Sequence, residues 1–122
     1  MQGEMRLSRM DNEIIDRLIF TGMSKNLAKT LVFLSKRDET TSVQIEKATG
    51  LRQPEVSLAM QELRRRGWVN KRDIKKEGKG RPVHAYRLSK SFSRIVSTIK
   101  KEEDKKIQRI VKNMNELHSL IK

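Results

Sequence analysis

The chain has 122 residues, with 28 Lys or Arg against 15 Asp or Glu, and its formal net charge is +13. It contains no Cys and two His, which excludes a disulfide framework, a Cys-based metal site and a His-rich metal cluster. The longest apolar run, 31–34, is far shorter than the ~20 residues of a membrane helix, and the first residues lack a signal-peptide pattern. These features predict a cytoplasmic protein with no membrane partner.

The excess positive charge is concentrated in one third of the chain. Residues 52–90 carry 12 basic and 4 acidic side chains, a net charge of +8. A basic chain of this kind favours a polyanionic partner, although a solvated Lys/Arg surface would also give this composition.

Two helices are predicted before residue 38. In 11–20, Ile14, Ile15, Leu18 and Ile19 repeat at helical spacing. Ser24 is a suitable N-cap for the next helix, which is expected to stop near 36–37.

A pair of shorter helices follows. Thr41 and Gln44 form a capping-box pattern that opens a short helix with Val43, Ile45 and Ala48 as its apolar stripe. Gly50 is suited to end it in a left-handed conformation. Pro54 then suits the first turn of a longer helix, 54–66, with Val56, Ala59, Met60 and Leu63 as its buried face.

The residue period changes after Gly67. Residues 68–75 and 83–88 are interpreted as two strands, joined by a Gly- and Pro-containing turn at 76–82 into a hairpin. A final helix is predicted to run to about residue 121. Its Ile107, Ile110, Met114, Leu117 and Ile121 fall at coiled-coil spacing. The charged run 102–106 leaves open whether this helix is continuous.

This order of elements indicates a winged helix-turn-helix, a mainly α fold with a small β-hairpin (α+β) and a long C-terminal helix. We expect a helical extension in 1–23, a DNA-binding domain in 24–90 and a dimerisation helix in 91–122. The second helix of the motif must present its outer face to a DNA major groove. We predict that bases are read by six residues at its tip and on that face: Arg52, Gln53, Pro54, Ser57, Gln61 and Arg64.

Basic residues of the hairpin turn form a second candidate contact, because its two glycines allow close approach to DNA. We assign DNA backbone or minor-groove contacts to Thr41, Arg65, Lys75, Lys76, Lys79 and Arg81. For both sets the alternative is an ordinary solvated surface. Glu55 has two candidate roles, stabilising the helix start or accepting a hydrogen bond from cytosine.

Several segments together resemble archaeal winged-helix transcriptional regulators of the TrmB-like and MarR-like families. They are Thr-Ser-Val-Gln-Ile-Glu-Lys-Ala-Thr-Gly-Leu at 41–51, Arg-Gln-Pro-Glu-Val-Ser at 52–57, Glu-Leu-Arg-Arg-Arg-Gly-Trp-Val at 62–69 and Gly-Lys-Gly-Arg-Pro at 78–82. The resemblance covers 23–90 and implies sequence-specific binding of double-stranded DNA by a homodimer. Leu27 departs from the acid often found there in TrmB-like chains. There is no counterpart of their large sugar-binding domain, so sugar sensing is not carried over and any effector stays unknown.

The leading hypothesis is therefore a small dimeric DNA-binding regulator without a cofactor. Two alternatives stay open: a non-specific architectural DNA-binding protein, favoured by charge alone, and a winged-helix interaction module of a transcription complex. An enzyme is not predicted, because no catalytic Ser/His/acid arrangement or phosphate-cradling loop stands out.

Overall fold

The predicted architecture is confirmed by a computed structural model, which describes residues 6–74 and 83–121. Its elements are, in order, α1 Arg9–Phe20, α2 Lys25–Ser35, β1 Thr40–Thr41, α3 Ser42–Thr49, α4 Gln53–Arg65, β2 Val69–Ile74, β3 Val83–Leu88 and α5 Phe92–Leu120. The chain divides into two units, 1–91 and 92–122, and each is described by itself.

Helix α2 forms the centre of the first unit. Its residues Leu31 to Leu34 are almost completely inaccessible to solvent, and Phe33 is fully buried. The helix contacts α1, α3, α4 and β3, so apolar side chains on several of its faces are covered. This explains why 31–34 is the longest apolar run of the chain.

The buried carboxylate of Asp11 caps the start of α1 and joins this helix to the end of α2. The Ser8 hydroxyl accepts a hydrogen bond from the Asp11 amide at 3.1 Å, and the Asp11 carboxylate accepts one from the Ser8 amide at 2.7 Å. The same carboxylate oxygen lies 2.6 Å from Lys36 Nζ, beyond the end of α2. Burial acts to raise the pKa of Asp11, but the hydrogen bonds from Lys36 and Ser8 outweigh it and hold the pKa below its ordinary value.

We expect Asp11→Ala to lower the free energy of unfolding by about 2 kcal/mol, since hydrogen bonds to a charged group are removed from a site that is largely shielded from water. Because the folded pKa is lowered, this stabilisation is present above the ordinary Asp pKa of about 3.9 and is lost as pH falls through the folded value. Urea unfolding at pH 7 and pH 3 measures both effects. Asp16→Ala, at an exposed position of the same helix, is the control. An equal loss in both variants would contradict this role for Asp11.

The predicted capping box at the start of α3 and the predicted turn at its end are both present. The Thr41 hydroxyl accepts from the Gln44 amide at 3.3 Å, and Gln44 Oε1 accepts from the Thr41 amide at 3.0 Å. Gly50 has φ +75°, the left-handed conformation that ends α3. The buried Thr49 hydroxyl donates to the Ile45 carbonyl and accepts from the Leu51 amide, which fixes the turn.

Of the predicted apolar stripe of α3, Ile45 alone is buried. Val43 is exposed and Ala48 is half-buried, whereas Thr49 is buried. Thr49 lies four residues after Ile45 and therefore on the same face of the helix, and its hydroxyl can be buried because it donates to the Ile45 carbonyl.

The sheet has three antiparallel strands in the order β1–β3–β2. The predicted hairpin is confirmed: β2 and β3 pair from Val69 opposite Leu88 to Ile74 opposite Val83. Strand β1 is additional, with Thr40 paired to Tyr86 and Thr41 to Ala85.

Helix α5 is continuous over 29 residues, about 43 Å at roughly 1.5 Å per residue. The charged run 102–106 therefore does not break it. Ion pairs along the helix, Lys100 with Asp104 at 3.3 Å and Lys106 with Glu103 at 2.8 Å, balance part of that run. No helix among the described residues is both long enough and apolar enough to cross a membrane.

Candidate nucleic-acid interface

Helix α4 has two distinct faces. Val56, Ala59, Met60 and Leu63 are buried. Gln53, Gln61 and Arg64 are exposed, and Ser57 is half-buried. The predicted base-reading side chains therefore share the accessible side of the helix with their amide, hydroxyl and guanidinium groups available.

The start of α4 is held by backbone chemistry. The Glu55 carboxylate accepts a hydrogen bond from the Arg52 amide at 2.9 Å, and Pro54 occupies the first turn. Of the two roles considered for Glu55, the structure places it in the stabilisation of the helix start. Arg52 and Pro54 are exposed at the tip.

The three arginines at the end of α4 have different surroundings. Glu62 binds Arg65 at 2.5 Å and Arg66 at 2.8 Å. These hydrogen bonds, first from Arg65 and then from Arg66, lower the pKa of Glu62 to about 2, so the carboxylate stays charged at neutral pH. Part of the positive charge of Arg65 is thus offset locally, whereas Arg64 lies on the side of the helix that carries Gln61.

A cleft of about 180 Å³ lies between the exposed side of α4 and the hairpin strands. Gln53, Ser57, Gln61 and Arg64 line its α4 side. Lys71 of β2 with His84 and Tyr86 of β3 lines the opposite side, and Ser42 lies at its α3 edge. We call this space the α4–hairpin cleft.

Polar contacts hold the two hairpin strands in place. His84 Nδ1 lies 2.7 Å from Asp73 Oδ1 of the paired strand. Arg72 binds the Glu39 carboxylate through Nε at 2.6 Å and Nη2 at 2.9 Å, which ties β2 to the segment that follows α2. This bidentate pair lowers the pKa of Glu39 through its hydrogen bonds and raises that of Arg72.

The remaining predicted DNA contacts are placed only in part. Thr41 is half-buried at the start of α3, where its hydroxyl caps the helix. Lys75, Lys76, Lys79 and Arg81 lie outside the described residues. Within the described part, no group of three or more His, Asp or Glu side chains is placed to hold a metal ion.

The predicted coiled-coil positions of α5 are exposed. Ile107, Ile110, Met114, Leu117 and Ile121, here called the α5 seam, have relative accessibilities of 57, 62, 53, 48 and 68%. Val111 and Leu120 are exposed as well, which widens the apolar surface.

Sequence reasoning missed the hairpin side of the cleft. Lys71, His84 and Tyr86 lie in the two predicted strands, and the sequence pattern assigns no contact to them. The register supplies what the pattern lacked, because it sets Lys71 opposite Tyr86 and Asp73 opposite His84. His84 and Tyr86 lie two positions apart in β3, so they share one face of the strand, and this alternation is the signal in the sequence that points to the surface.

Sequence comparison finds no matching family model and no matching curated protein. Comparison with solved structures finds several similar chains. A possible transcriptional regulator from Methanosarcina mazei Go1 is 15% identical, with a TM-score of 0.64 over 79% of this chain and 80% of that one.

Two bacterial structures extend the likeness. A MepR mutant from a multidrug-resistant S. aureus clinical isolate is 20% identical, with a TM-score of 0.54 over 85% of this chain and 74% of that one. A mutant of MarR from E. coli, complexed with operator DNA, is 18% identical, with a TM-score of 0.51 over 76% of this chain and 62% of that one. The chain therefore shares the winged-helix fold of these regulators.

Proposed function

We propose that this chain is a sequence-specific, double-stranded DNA-binding transcriptional regulator that acts as a homodimer. Helix α4 lies in the major groove and the hairpin turn 76–82 contacts the backbone or minor groove. The observation that carries the proposal is the accessible face of α4, where Gln53, Gln61 and Arg64 stand clear of a buried inner face. The fold shared with MarR, which was solved with operator DNA, supports it.

The chemistry of that face suits base reading. A glutamine amide makes two hydrogen bonds to adenine, and an arginine guanidinium makes two to guanine. The fixed start of α4, where Glu55 accepts from the Arg52 amide, holds Gln53 in a defined place at the tip. Binding of this kind needs no catalytic group and no cofactor.

The α5 seam supports a homodimer. Its five side chains, four on α5 and Ile121 directly after it, form one apolar stripe along the exposed C-terminal part of the helix, and large exposed apolar patches on monomeric proteins are rare. A second copy of the same helix offers a matching stripe, and coiled-coil spacing lets the two interdigitate. Two α4 helices related by two-fold symmetry would meet half-sites about one helical turn apart, on a pseudo-palindrome.

One other function has a specific observation in its favour. The net charge of +13 would bind DNA without reading its sequence, as an architectural protein does. Base-reading side chains would then add nothing to affinity. The two functions differ in what they select from a mixture of sequences.

Selection of bound fragments from a random double-stranded DNA pool, at about 0.2 M salt, tests the proposal. That salt concentration weakens purely electrostatic binding. We expect enrichment of a pseudo-palindromic site. Strong recovery without enrichment would show an architectural protein instead. Recovery of no DNA by folded protein would favour an interaction module that uses the α5 seam.

The hairpin turn gives a separate prediction. Lys79→Ala is expected to weaken binding to every sequence alike, because phosphate contacts carry no sequence information. The slope of log affinity against log salt should fall by about one unit. Filter binding or fluorescence anisotropy over a salt series measures this. Lys25→Ala, an exposed lysine of α2, serves as the charge-matched control, and an unchanged slope for Lys79→Ala would remove Lys79 from the DNA interface.

A further inference from the structure

The α4–hairpin cleft gathers three basic side chains from three elements. Arg64 comes from α4, Lys71 from β2 and His84 from β3. The remaining lining is mainly polar and includes Ser57, Gln61 and the largely buried Tyr86, with Val56 and Met60 as its apolar members. Basic groups that converge on a space of about 180 Å³, lined with hydrogen-bonding side chains, fit an oxyanion such as a phosphate.

The position of the cleft indicates which phosphate this is. The cleft lies between the helix proposed to enter the major groove and the hairpin proposed to reach the adjacent groove. On a DNA duplex, the sugar–phosphate backbone is what separates those two grooves. A backbone strand must therefore cross the cleft when both elements are engaged.

We propose that the α4–hairpin cleft binds one backbone phosphate of the DNA through Lys71 and His84, and that His84 takes up a proton as the phosphate binds. Arg64 adds positive charge to the cleft, while its guanidinium contacts a base. The inference rests on the proposed function and deepens it. It assigns a phosphate contact to the strands of the hairpin, separate from contacts of the turn 76–82.

The proton uptake follows from the contact with Asp73. Because Nδ1 of His84 lies 2.7 Å from the Asp73 carboxylate, Nδ1 carries the ring proton and Nε2 is the nitrogen left for a ligand. In the neutral ring Nε2 is only an acceptor, and phosphate oxygens also only accept. Protonation turns Nε2 into a donor. The imidazolium is then favoured by Asp73 and the phosphate, and opposed by Lys71 and Arg64.

The first test replaces single phosphates of the selected DNA site with neutral methylphosphonates. We expect one position in each half-site at which this change weakens wild-type binding roughly tenfold, as the loss of one charge-assisted contact does. In Lys71→Ala the same change should cost clearly less than it costs wild type, because one of the contacts to that phosphate is already lost. Lys25→Ala should respond as wild type does.

The second test measures affinity between pH 8 and pH 6. Uptake of one proton predicts that wild-type affinity rises as pH falls, by at most tenfold per pH unit. His84→Gln should remove this dependence, and His118→Gln, which alters the other histidine of the chain, should keep it. A pH dependence that survives in His84→Gln would overturn the role given to His84.

The outcomes separate this inference from the proposed function. Enrichment of a DNA site by the wild-type protein tests the proposed sequence-specific binding, and this result does not depend on how the cleft variants behave. If every methylphosphonate position costs Lys71→Ala as much as wild type, the cleft holds no backbone phosphate. If inorganic phosphate competes with DNA in wild type but not in Lys71→Ala, and no backbone position is coupled to Lys71, the cleft takes a free anion and the proposal is wrong.

Discussion

Met114→Asp is expected to convert the protein from a dimer to a monomer and to weaken binding to its full DNA site by about 10²- to 10⁴-fold. Met114 is central in the α5 seam and is 53% exposed in the single chain. In the proposed dimer it is covered, so the aspartate would place a charge in an apolar contact. The DNA affinity falls because a dimer carries two linked DNA-binding domains. Once the first domain is bound, the second is at a high effective concentration near its half-site, and a monomer lacks this gain.

Analytical ultracentrifugation and anisotropy with full and half sites measure these effects. Ser119→Asp is the matched control: it adds the same charge at an exposed position of α5 that lies off the seam by helical spacing. Circular dichroism checks that both variants keep their helical content. A Met114→Asp variant that remains dimeric would exclude the seam as the dimer contact. A monomer that binds the full site as wild type does would exclude the need for a dimer.

Local patterns predicted most of the fold because each end of an element has its own short signal. The Thr41–Gln44 capping box and Gly50 bound α3, and the periodic apolar residues of α4 identify its buried face. These signals depend on residues three or four positions apart. Nothing distant is needed to interpret them, so one sequence is enough.

Contacts between distant segments escaped that reasoning. Strand β1 has two residues, and its existence depends on β3, some 45 positions further along the chain. The Arg72–Glu39 pair likewise joins residues 33 positions apart. A strand this short has no alternation to detect, and a surface carboxylate has many candidate partners along the chain.

The candidate site shows the same division. The α4 side of the cleft follows from helical period alone, because Gln53, Ser57 and Gln61 recur every four residues. The hairpin side needs the strand register, which decides that Asp73 faces His84. Counting charges also overestimates the positive charge available to DNA at the end of α4, because Glu62 forms ion pairs with two of the three arginines there.

Gln53→Ala combined with Gln61→Ala is expected to abolish discrimination at particular base pairs of each half-site. Good bidentate contacts are worth about 1–3 kcal/mol each. Two of them removed together predict a loss of about 30-fold to 10⁴-fold for the preferred site. Affinity for non-specific DNA should stay unchanged, because neither amide carries charge.

Competition between the selected site and its single base-pair variants measures the discrimination directly. Gln108→Ala, which removes an exposed glutamine amide from α5, controls for the loss of an amide as such. Both glutamines of α4 line the cleft, so the double variant is also compared by methylphosphonate scan to separate base contacts from phosphate contacts. If the double variant loses affinity by the same factor on every sequence, then α4 contacts DNA without reading its bases. That result would support the architectural function instead.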